Sequence, residues 1–199
     1  MTEIKILIKG YAREKNGDEY ASSTAVLIKT KNKNIIVDPG IDRKRLLTAL
    51  KKENLSTNDI DYVILTHYHL DHSLLTGIFA KAKILDQSEI YSWDGKIKEH
   101  YGYVPGTDIK IIKTPGHDMF HCSVLVKTKK LGLVAIAADV FWWADKQKQK
   151  IDKKNLMKLK DPYVKDKKAL KISREKILRI ADYIIPGHGK MFKVKKIIL

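Results

Sequence analysis

The sequence is poor in cysteine and has no long apolar run. Its one cysteine among 199 residues, Cys122, excludes an intrachain disulfide framework and favours a reducing compartment. No stretch of about 18 consecutive apolar residues is present, so no membrane span is expected. The first residues alternate in polarity and do not form a charged and then apolar leader, so no export signal is expected either. We therefore predict a soluble, cytoplasmic protein.

Arginine is also scarce, although the chain is strongly basic. Lysine and arginine number 39 against 23 acidic residues, which gives a net charge of +16. Such a surface attracts polyanions, but bidentate phosphate recognition favours arginine, and most of this excess is lysine. We interpret the excess as solvated lysine faces. A small-molecule ester-like substrate is therefore expected ahead of nucleic acid, with no membrane partner, and the sequence allows a homodimer.

The length and the 44% hydrophobic content predict a single domain over residues 1–199. Short strand patterns alternate with helical patterns in both halves, and a lysine-rich helical region is expected at about 146–176. The polar segment 13–19 is predicted to form a turn between strands at 3–9 and 21–30. These patterns favour an α+β fold in which sheets pack together and helices cover them outside.

A histidine-rich segment follows the apolar strand pattern Val63–Leu65. It reads Thr66-His67-Tyr68-His69-Leu70-Asp71-His72. Residues two apart in extended backbone point to the same side, so His67, His69 and Asp71 can converge. Buried ionisable groups are costly unless they are paired or bind a metal. Nitrogen and oxygen ligands without thiolate suit zinc, and also iron or manganese, so the segment predicts a metal site.

Three later strand patterns each end on one further candidate ligand. These residues are His117, Asp139 and His188. A Pro-Gly pair precedes each of the two histidines and turns the chain sharply. Taken singly, each would be interpreted as a hydrogen-bonded loop histidine or a helix cap. Taken with the first cluster, the three are predicted to complete a metal centre at strand ends.

The full set, HxHxDH followed by a distant His, Asp and His, resembles the metallo-β-lactamase superfamily. The resemblance runs from about Val37 to His188 and so covers most of the chain. It implies a four-layer αβ/βα sandwich, in which two mixed β-sheets pack face to face with helices outside. This architecture agrees with the α+β fold that the strand and helix patterns favour.

The resemblance implies two divalent metal ions, with zinc favoured and iron or manganese as alternatives. The ligands of the first ion would be His67, His69 and His117. The ligands of the second ion would be Asp71, His72 and His188. Asp139 would bridge the two ions. Asp38, in the motif Asp38-Pro39-Gly40, would support the ligand loop by hydrogen bonds without binding metal.

Details of the sequence indicate a branch of the superfamily. Aspartate stands at position 139, where zinc β-lactamases carry cysteine, which argues against antibiotic hydrolysis. The segments Thr114–Ser123 and Ala138–Phe141 are most similar to the small, compact metallo-β-lactamase domain-containing hydrolases. The implied reaction is attack on an ester, thioester or lactone carbonyl by a hydroxide that bridges the two metal ions. Asp71 would act as a catalytic residue by orienting that hydroxide.

Two other activities stay open at this point. Relatives hydrolyse phosphodiesters with the same dinuclear centre, so a phosphodiesterase or ribonuclease that uses the basic residues between Lys146 and Lys176 is the first alternative. The second alternative is a mononuclear iron persulfide dioxygenase, which in relatives uses two histidines and an aspartate. A salt series and a metal analysis would separate these activities.

Other conspicuous residues receive structural interpretations. His100 is predicted to lie on the surface, and Arg174 on a solvated helix face. His121 is interpreted as a buried, hydrogen-bonded histidine. The side chain of Trp142 either lines a substrate pocket or packs beneath the lysine-rich region, and the sequence does not decide between the two.

Overall fold

The computed structural model describes residues 2–195, so Met1 and residues 196–199 of the predicted domain lie outside the described residues. The first sheet has seven strands in the order β1 (Glu3–Ile8), β4 (Ala25–Lys29), β5 (Asn34–Val37), β6 (Tyr62–Ile64), β7 (Lys83–Leu85), β8 (Glu89–Tyr91) and β9 (Ile97–Glu99). The second sheet has five strands in the order β10 (Lys110–Lys113), β11 (Cys122–Thr128), β12 (Gly132–Ala138), β13 (Tyr183–Pro186) and β14 (Phe192–Lys193). A separate hairpin pairs β2 (Tyr11–Lys15) with β3 (Asp18–Ser22).

Helices connect and cover the strands. They are α1 (Arg43–Lys52), α2 (Leu70–Ser73), α3 (Lys153–Met157) and α4 (Lys167–Ile180), with short 3₁₀ helices at Thr57–Asp59 and Leu74–Ile78. Both sheets are mixed, because β6 runs parallel to β5 and β7, and β13 runs parallel to β12, while the other pairs are antiparallel. The predicted α+β fold with two mixed sheets is confirmed. Within residues 2–195, no helix is both long enough and apolar enough to cross a membrane.

The alternation of side chains along the strands builds the layers. On β4, Val26 and Ile28 face the core between the two sheets, where they meet residues of β11 and β12. The intervening Leu27 faces the opposite way and packs with Leu46 and Leu50 of α1. The first sheet therefore separates a central core from an outer layer that α1 covers.

The second sheet has its outer layer on the other side of the molecule. Leu170 and Ile177 of α4 pack with Ala135 and Ile184, which lie on β12 and β13. Asp166 begins α4 as its N-cap, because its side chain accepts hydrogen bonds from the backbone N–H groups of the first turn. The resulting order of layers is helix, sheet, sheet, helix.

The prediction of a turn at 13–19 was wrong in extent. Most of that segment is strand, and the turn is confined to Asn16 and Gly17, whose φ angles are 56° and 84°. A two-residue hairpin turn of this kind needs positive φ at both positions, and Asn-Gly meets that need at low cost. The charged residues of the hairpin stay exposed because it joins neither sheet within the described residues.

Candidate metal centre

The candidate ligands lie at one edge of the two sheets: Asp71 and His72 belong to the short helix α2, so the backbone is not extended there as the sequence analysis assumed, and the other five lie on loops. The histidine-rich segment follows β6, and His117 follows β10 in the second sheet. Asp139 and His188 come directly after the paired ends of β12 and β13, where Ala138 lies opposite Pro186. Because these two strands are parallel, both residues reach the same end of the sheet. The backbone N–H of Cys122 donates to the carbonyl of Thr66 at 2.8 Å and joins the two sheets there.

The first cluster consists of His67, His69, His117 and Asp139. Nδ1 of His69 lies 3.1 Å from Nε2 of His67 and 3.1 Å from Nε2 of His117. Oδ2 of Asp139 lies 3.4 Å from Nε2 of His117. Ligands about 2.0–2.1 Å from a tetrahedral zinc ion lie about 3.3–3.4 Å from one another. The spacing of these atoms is therefore close to that of ligands around one ion.

The second cluster consists of Asp71, His72 and His188. Oδ2 of Asp71 lies 3.2 Å from Nε2 of His188 and 3.8 Å from Nε2 of His72. Asp139 reaches this cluster too, because its Oδ1 lies 3.4 Å from Nε2 of His72 and its Oδ2 lies 3.8 Å from Nε2 of His188. The carboxylate of Asp139 thus lies between the two clusters, and all seven predicted ligands are brought together.

Hydrogen bonds on the outer side of His67 and His72 orient both rings toward the centre. Asp38 accepts from the Thr66 backbone N–H at 2.9 Å, from the Thr66 hydroxyl at 2.7 Å and from Nδ1 of His72 at 2.8 Å. Since the Thr66 hydroxyl donates to Asp38, its oxygen accepts from Nδ1 of His67 at 3.1 Å. Asp38 therefore fixes the tautomer of two histidines and leaves the Nε2 atom of each facing the centre.

His117 and His188 are oriented in the same way by different partners. Nδ1 of His117 donates to Oδ2 of Asp161 at 2.8 Å, and Nδ1 of His188 donates to the backbone carbonyl of Tyr11 at 3.0 Å. The sequence analysis predicted neither partner. Asp161 lies in a lysine-rich region that also contains Asp152 and Asp166, and no motif distinguishes it from them. A contact made by a backbone carbonyl does not depend on residue type, so the sequence does not indicate it.

Burial and neighbouring charges set the protonation states of the centre. Burial lowers the pKa of the His67 imidazole, and the charge of His72 lowers it further, so the neutral ring with a free lone pair is favoured. Burial also opposes the charge on His72, but Asp139 and Asp38 outweigh that effect and hold its pKa well above the usual value. Burial raises the pKa of Asp139, yet the charges of His72 and His188 bring it well below its usual value. A cation is therefore favoured beside Asp139.

The residues present fit a divalent metal ion. Two buried atoms of the centre, Nε2 of His72 and Oδ1 of Asp139, have no hydrogen-bond partner among residues 2–195. Leaving such atoms unpaired is costly, and a cation bonded to both would remove that cost. Imidazole nitrogens and carboxylate oxygens form a donor set that suits zinc, iron or manganese.

Other predicted residues lie near the centre or away from it. His121 is buried as predicted: its Nδ1 lies 3.0 Å from the Thr114 hydroxyl, and burial lowers its pKa to about 3. The prediction of a surface position for His100 was wrong, because Nε2 of this buried ring lies 3.0 Å from the carbonyl of Asp86. The ring of Trp142 lies 5.9 Å from that of His188, which places this tryptophan beside the centre.

The prediction for Arg174 was also wrong. Its side chain is buried, and it donates from Nε to the carbonyl of Val140 at 2.9 Å and from Nη1 to the carbonyl of Leu159 at 2.7 Å. Arginine on a helix is usually solvated, but here two backbone carbonyls need donors at the inner face of α4. Arg174 therefore holds α4 to the loop that follows Asp139.

A buried aspartate outside the centre holds the ligand loop in place. Asp86 accepts hydrogen bonds from the hydroxyls of Tyr68 and Tyr91 and from the backbone N–H groups of Ser88 and Glu89. Tyr68 stands between His67 and His69, so this contact anchors the histidine-rich segment from its outer side. Burial raises the pKa of Asp86, but the bonds from Tyr68 and from the backbone outweigh that effect and lower it.

We expect Asp86→Asn to lower the free energy of unfolding by about 2 kcal/mol at pH 7, because hydrogen bonds to a charged acceptor are lost. A carboxylate with a lowered pKa in the folded chain stabilises it above the unfolded pKa of about 4, and the effect disappears as the pH falls further. Urea unfolding of both proteins across pH 3–7 would show the difference shrinking in acid. The exposed Asp94→Asn is the control. A difference that does not depend on pH would contradict the assigned role.

The chain is similar in sequence to several known proteins. Residues 20–191 match the sequence profile described as the metallo-β-lactamase superfamily. Metallo-beta-lactamase domain-containing protein 1 of Xenopus laevis is 28% identical over 201 aligned positions, which cover 97% of this chain and 82% of that protein. The Mus musculus protein of the same name is 32% identical over 168 positions, 80% of this chain and 61% of that protein, so the chain spans about three fifths of the mouse relative. N-acyl homoserine lactonase of Bacillus cereus is 30% identical over 115 positions, covering 49% of this chain and 45% of the lactonase.

A comparison with solved structures gives the same family of folds. The crystal structure of a protein assigned as a metallo-β-lactamase from Thermotoga maritima superposes with a TM-score of 0.74 at 22% sequence identity. The match covers 96% of this chain and 99% of that protein. At this level of identity, the likeness establishes the fold.

Proposed function

The chain belongs to the metallo-β-lactamase superfamily and is a metal-dependent hydrolase of that superfamily, and on this premise we propose that it cleaves small, uncharged esters, thioesters or lactones. The proposed centre holds two divalent metal ions, with zinc as the favoured metal. Its ligands would be the seven residues predicted from the sequence: His67, His69 and His117 for one ion, Asp71, His72 and His188 for the other, and Asp139 for both.

The observation that carries this proposal is the position of Asp139. Its carboxylate lies within 3.8 Å of nitrogen atoms in both clusters, on His117, His72 and His188. A single carboxylate that serves two adjacent sites supports a dinuclear centre. When bound, such ions supply an activated water at neutral pH and polarise the carbonyl that it attacks.

The chain's own residues supply orientation and proton handling. Burial favours the neutral form of Asp71, but the hydrogen bond from His188 and the charge of His72 outweigh it, so the Asp71 pKa is lowered and the group stays ionised. Its side chain is 23% exposed, whereas that of Asp139 is 6% exposed. Asp71 therefore faces the solvent side of the centre, where it can accept a hydrogen bond from the attacking water and orient it. This is the catalytic role that we propose for Asp71.

The composition of the ligand-bearing loops supports an uncharged substrate. Despite the net charge of +16, none of the residues in 66–79, 114–121, 138–145 and 185–189 is lysine or arginine. Large apolar side chains are instead exposed on these segments, among them Leu70, Met119 and Phe120. A phosphodiester would find no lysine or arginine on these four segments to pair with its anionic groups, whereas an ester or lactone needs no such pairing. As its name states, the relative from Bacillus cereus acts on an N-acyl homoserine lactone, which is a substrate of this uncharged class.

We expect protein purified without chelator to contain two zinc ions per chain and to hydrolyse a lactone or a thioester. Its kcat/KM should hardly change as the salt concentration is raised, because no phosphate contact is involved. Metal analysis followed by assays on a lactone, a thioester and single-stranded RNA over a salt series provides the test. Chelated protein, inactive and then restored by added zinc, is the control.

Two results would replace this proposal. Cleavage of the RNA with a rate that falls linearly in log salt would establish the phosphodiesterase alternative. One iron ion per chain, with oxygen consumption on a persulfide, would establish the dioxygenase alternative.

A further inference from the structure

We propose that Asp161 is a positioning residue of the first metal site. The segment from Leu159 to Ser173 would hold in place the loop that carries His117. This inference rests on the proposed metal centre and concerns a part of the chain outside all the motifs identified in the sequence. The contact between Asp161 and His117 joins residues 44 positions apart.

The carboxylate of Asp161 meets the imidazole of His117 on the side away from the centre. Oδ2 of Asp161 lies 2.8 Å from Nδ1 of His117, and the two side chains are each 1% exposed. A carboxylate that accepts the outer N–H of a ligand histidine fixes its tautomer and raises the basicity of the other nitrogen. That other nitrogen, Nε2 of His117, faces His69 and Asp139.

Further hydrogen bonds hold Asp161 and the backbone next to it in place. Its second oxygen accepts the backbone N–H of Tyr163 at 3.0 Å. The guanidinium group of Arg174 bonds the carbonyls of Leu159 and Val140, which stand two residues before Asp161 and one residue after Asp139. One buried side chain therefore fixes the backbone next to both acidic groups that contact His117.

The same segment also fixes the backbone of the His117 loop. The N–H groups of Lys165 and Asp166 both donate to the carbonyl of Gly116 at 2.9 Å, and the hydroxyl of Ser173 donates to the carbonyl of Pro115 at 2.7 Å. A side chain at Gly116 would overlap the backbone of Leu170 in the first turn of α4. The loop and the helix are therefore in direct contact, and the position of His117 depends on α4.

Asp161 makes this contact with a ligand of the first site only. In the second site, His188 is held by the neutral carbonyl of Tyr11, and His72 is held by Asp38. Loss of the Asp161 carboxylate should therefore weaken the binding of one metal ion and leave the affinity for the other unchanged. A residue that only stabilised the fold would affect both ions or neither.

The test is a measurement of zinc affinity at each site by competition with a chromophoric chelator. For Asp161→Asn, we expect one of the two zinc ions to bind about 10–100-fold more weakly and the other to bind as in the wild type. Asp161→Ala, which removes the acceptor as well as the charge, should weaken that ion at least as much. Asp152→Asn removes the same charge from an exposed site in the lysine-rich region and should match the wild type.

The same substitution made in a second variant identifies which of the two zinc ions is affected. His188→Ala removes a proposed ligand of the second site, and in that background the remaining zinc should be weakened by Asp161→Asn to the same extent. Circular dichroism of the metal-free variants checks the fold. If Asp161→Asn does not fold, Asp161→Glu, which keeps the charge and shifts the acceptor, should still weaken the same single ion.

Three outcomes bear on the inference in distinct ways. Two zinc ions of wild-type affinity in the Asp161 variants would overturn it and leave the proposed function intact. Equal weakening of both ions would also overturn it, because the effect would then be general. A wild-type chain that binds no zinc would overturn the proposed metal centre itself.

Discussion

Asp139→Ala is expected to lower kcat/KM for the best carbonyl substrate by about a thousandfold or more and to prevent the chain from holding two metal ions. The carboxylate of Asp139 lies between both clusters, with His117 and His72 each 3.4 Å away. Without it, each of the two proposed sites would lose a ligand and a negative charge. A loss of about 4 kcal/mol of transition-state stabilisation corresponds to roughly a thousandfold in rate.

Steady-state kinetics with metal analysis of the same samples would test this expectation. Asp145→Ala is a matched control, because Asp145 lies on the same loop and pairs with Arg13 at 3.5 Å in a half-exposed salt bridge. Such pairs contribute little, so this variant should keep its activity and both metal ions. Wild-type activity in Asp139→Ala would remove the main support for the dinuclear centre.

Gly187→Ala is expected to lower the free energy of unfolding by about 3 kcal/mol and to reduce activity as strongly as the loss of Asp139. A Cβ atom at position 187 would overlap Oδ1 of Asp139 and come within 3.1 Å of the carbonyl carbon of Ala138. The backbone of Gly187 does not have a positive φ angle, so the cost is steric and does not arise from backbone strain. The carboxylate or the strand end must move, and either movement would displace Asp139 from the proposed metal centre.

A double-mutant comparison separates this mechanism from general damage to the fold. In the Asp139→Ala background, the carboxylate that the new methyl group would meet is absent, so Gly187→Ala should cost less stability than in the wild type. Gly77→Ala is the control, because a Cβ atom there would have nothing within 4 Å. Denaturant unfolding of the four proteins of the cycle provides the measurement. Equal costs in both backgrounds would show that Asp139 is not the obstacle.

The sequence predicted the parts of the molecule that local patterns encode. Apolar alternation placed most strands, because each strand must bury one face or both. The spacing of HxHxDH indicated a metal site, since unpaired buried histidines and aspartates would be unfavourable. Pro-Gly before His117 and His188 indicated sharp turns there. The family resemblance then supplied the order of ligands, and the seven side chains do lie together in the structure.

The partners of those ligands could not be predicted. Nothing in the sequence around Asp161 distinguishes it from the exposed aspartates of the same region, because its burial results from the packing of α4 against the His117 loop. His100 and Arg174 were misassigned for a related reason. Each is a polar side chain that is normally solvated, yet each is buried and lies within hydrogen-bond distance of a backbone carbonyl, and in Arg174 the residue type outweighed its position on the buried face of α4.

What the sequence determined by itself is the chemistry of the centre: which side chains can bind a metal, and that each follows a strand. What only the tertiary structure decided is how these side chains are held. The parallel pairing of β12 and β13 brings Asp139 and His188 to one edge. The Asp139 carboxylate occupies the space that a side chain at position 187 would need, so only glycine fits there. Periodicity along a chain reports which face of an element is buried, but contacts across dozens of residues depend on strand pairing and packing, which no local pattern records.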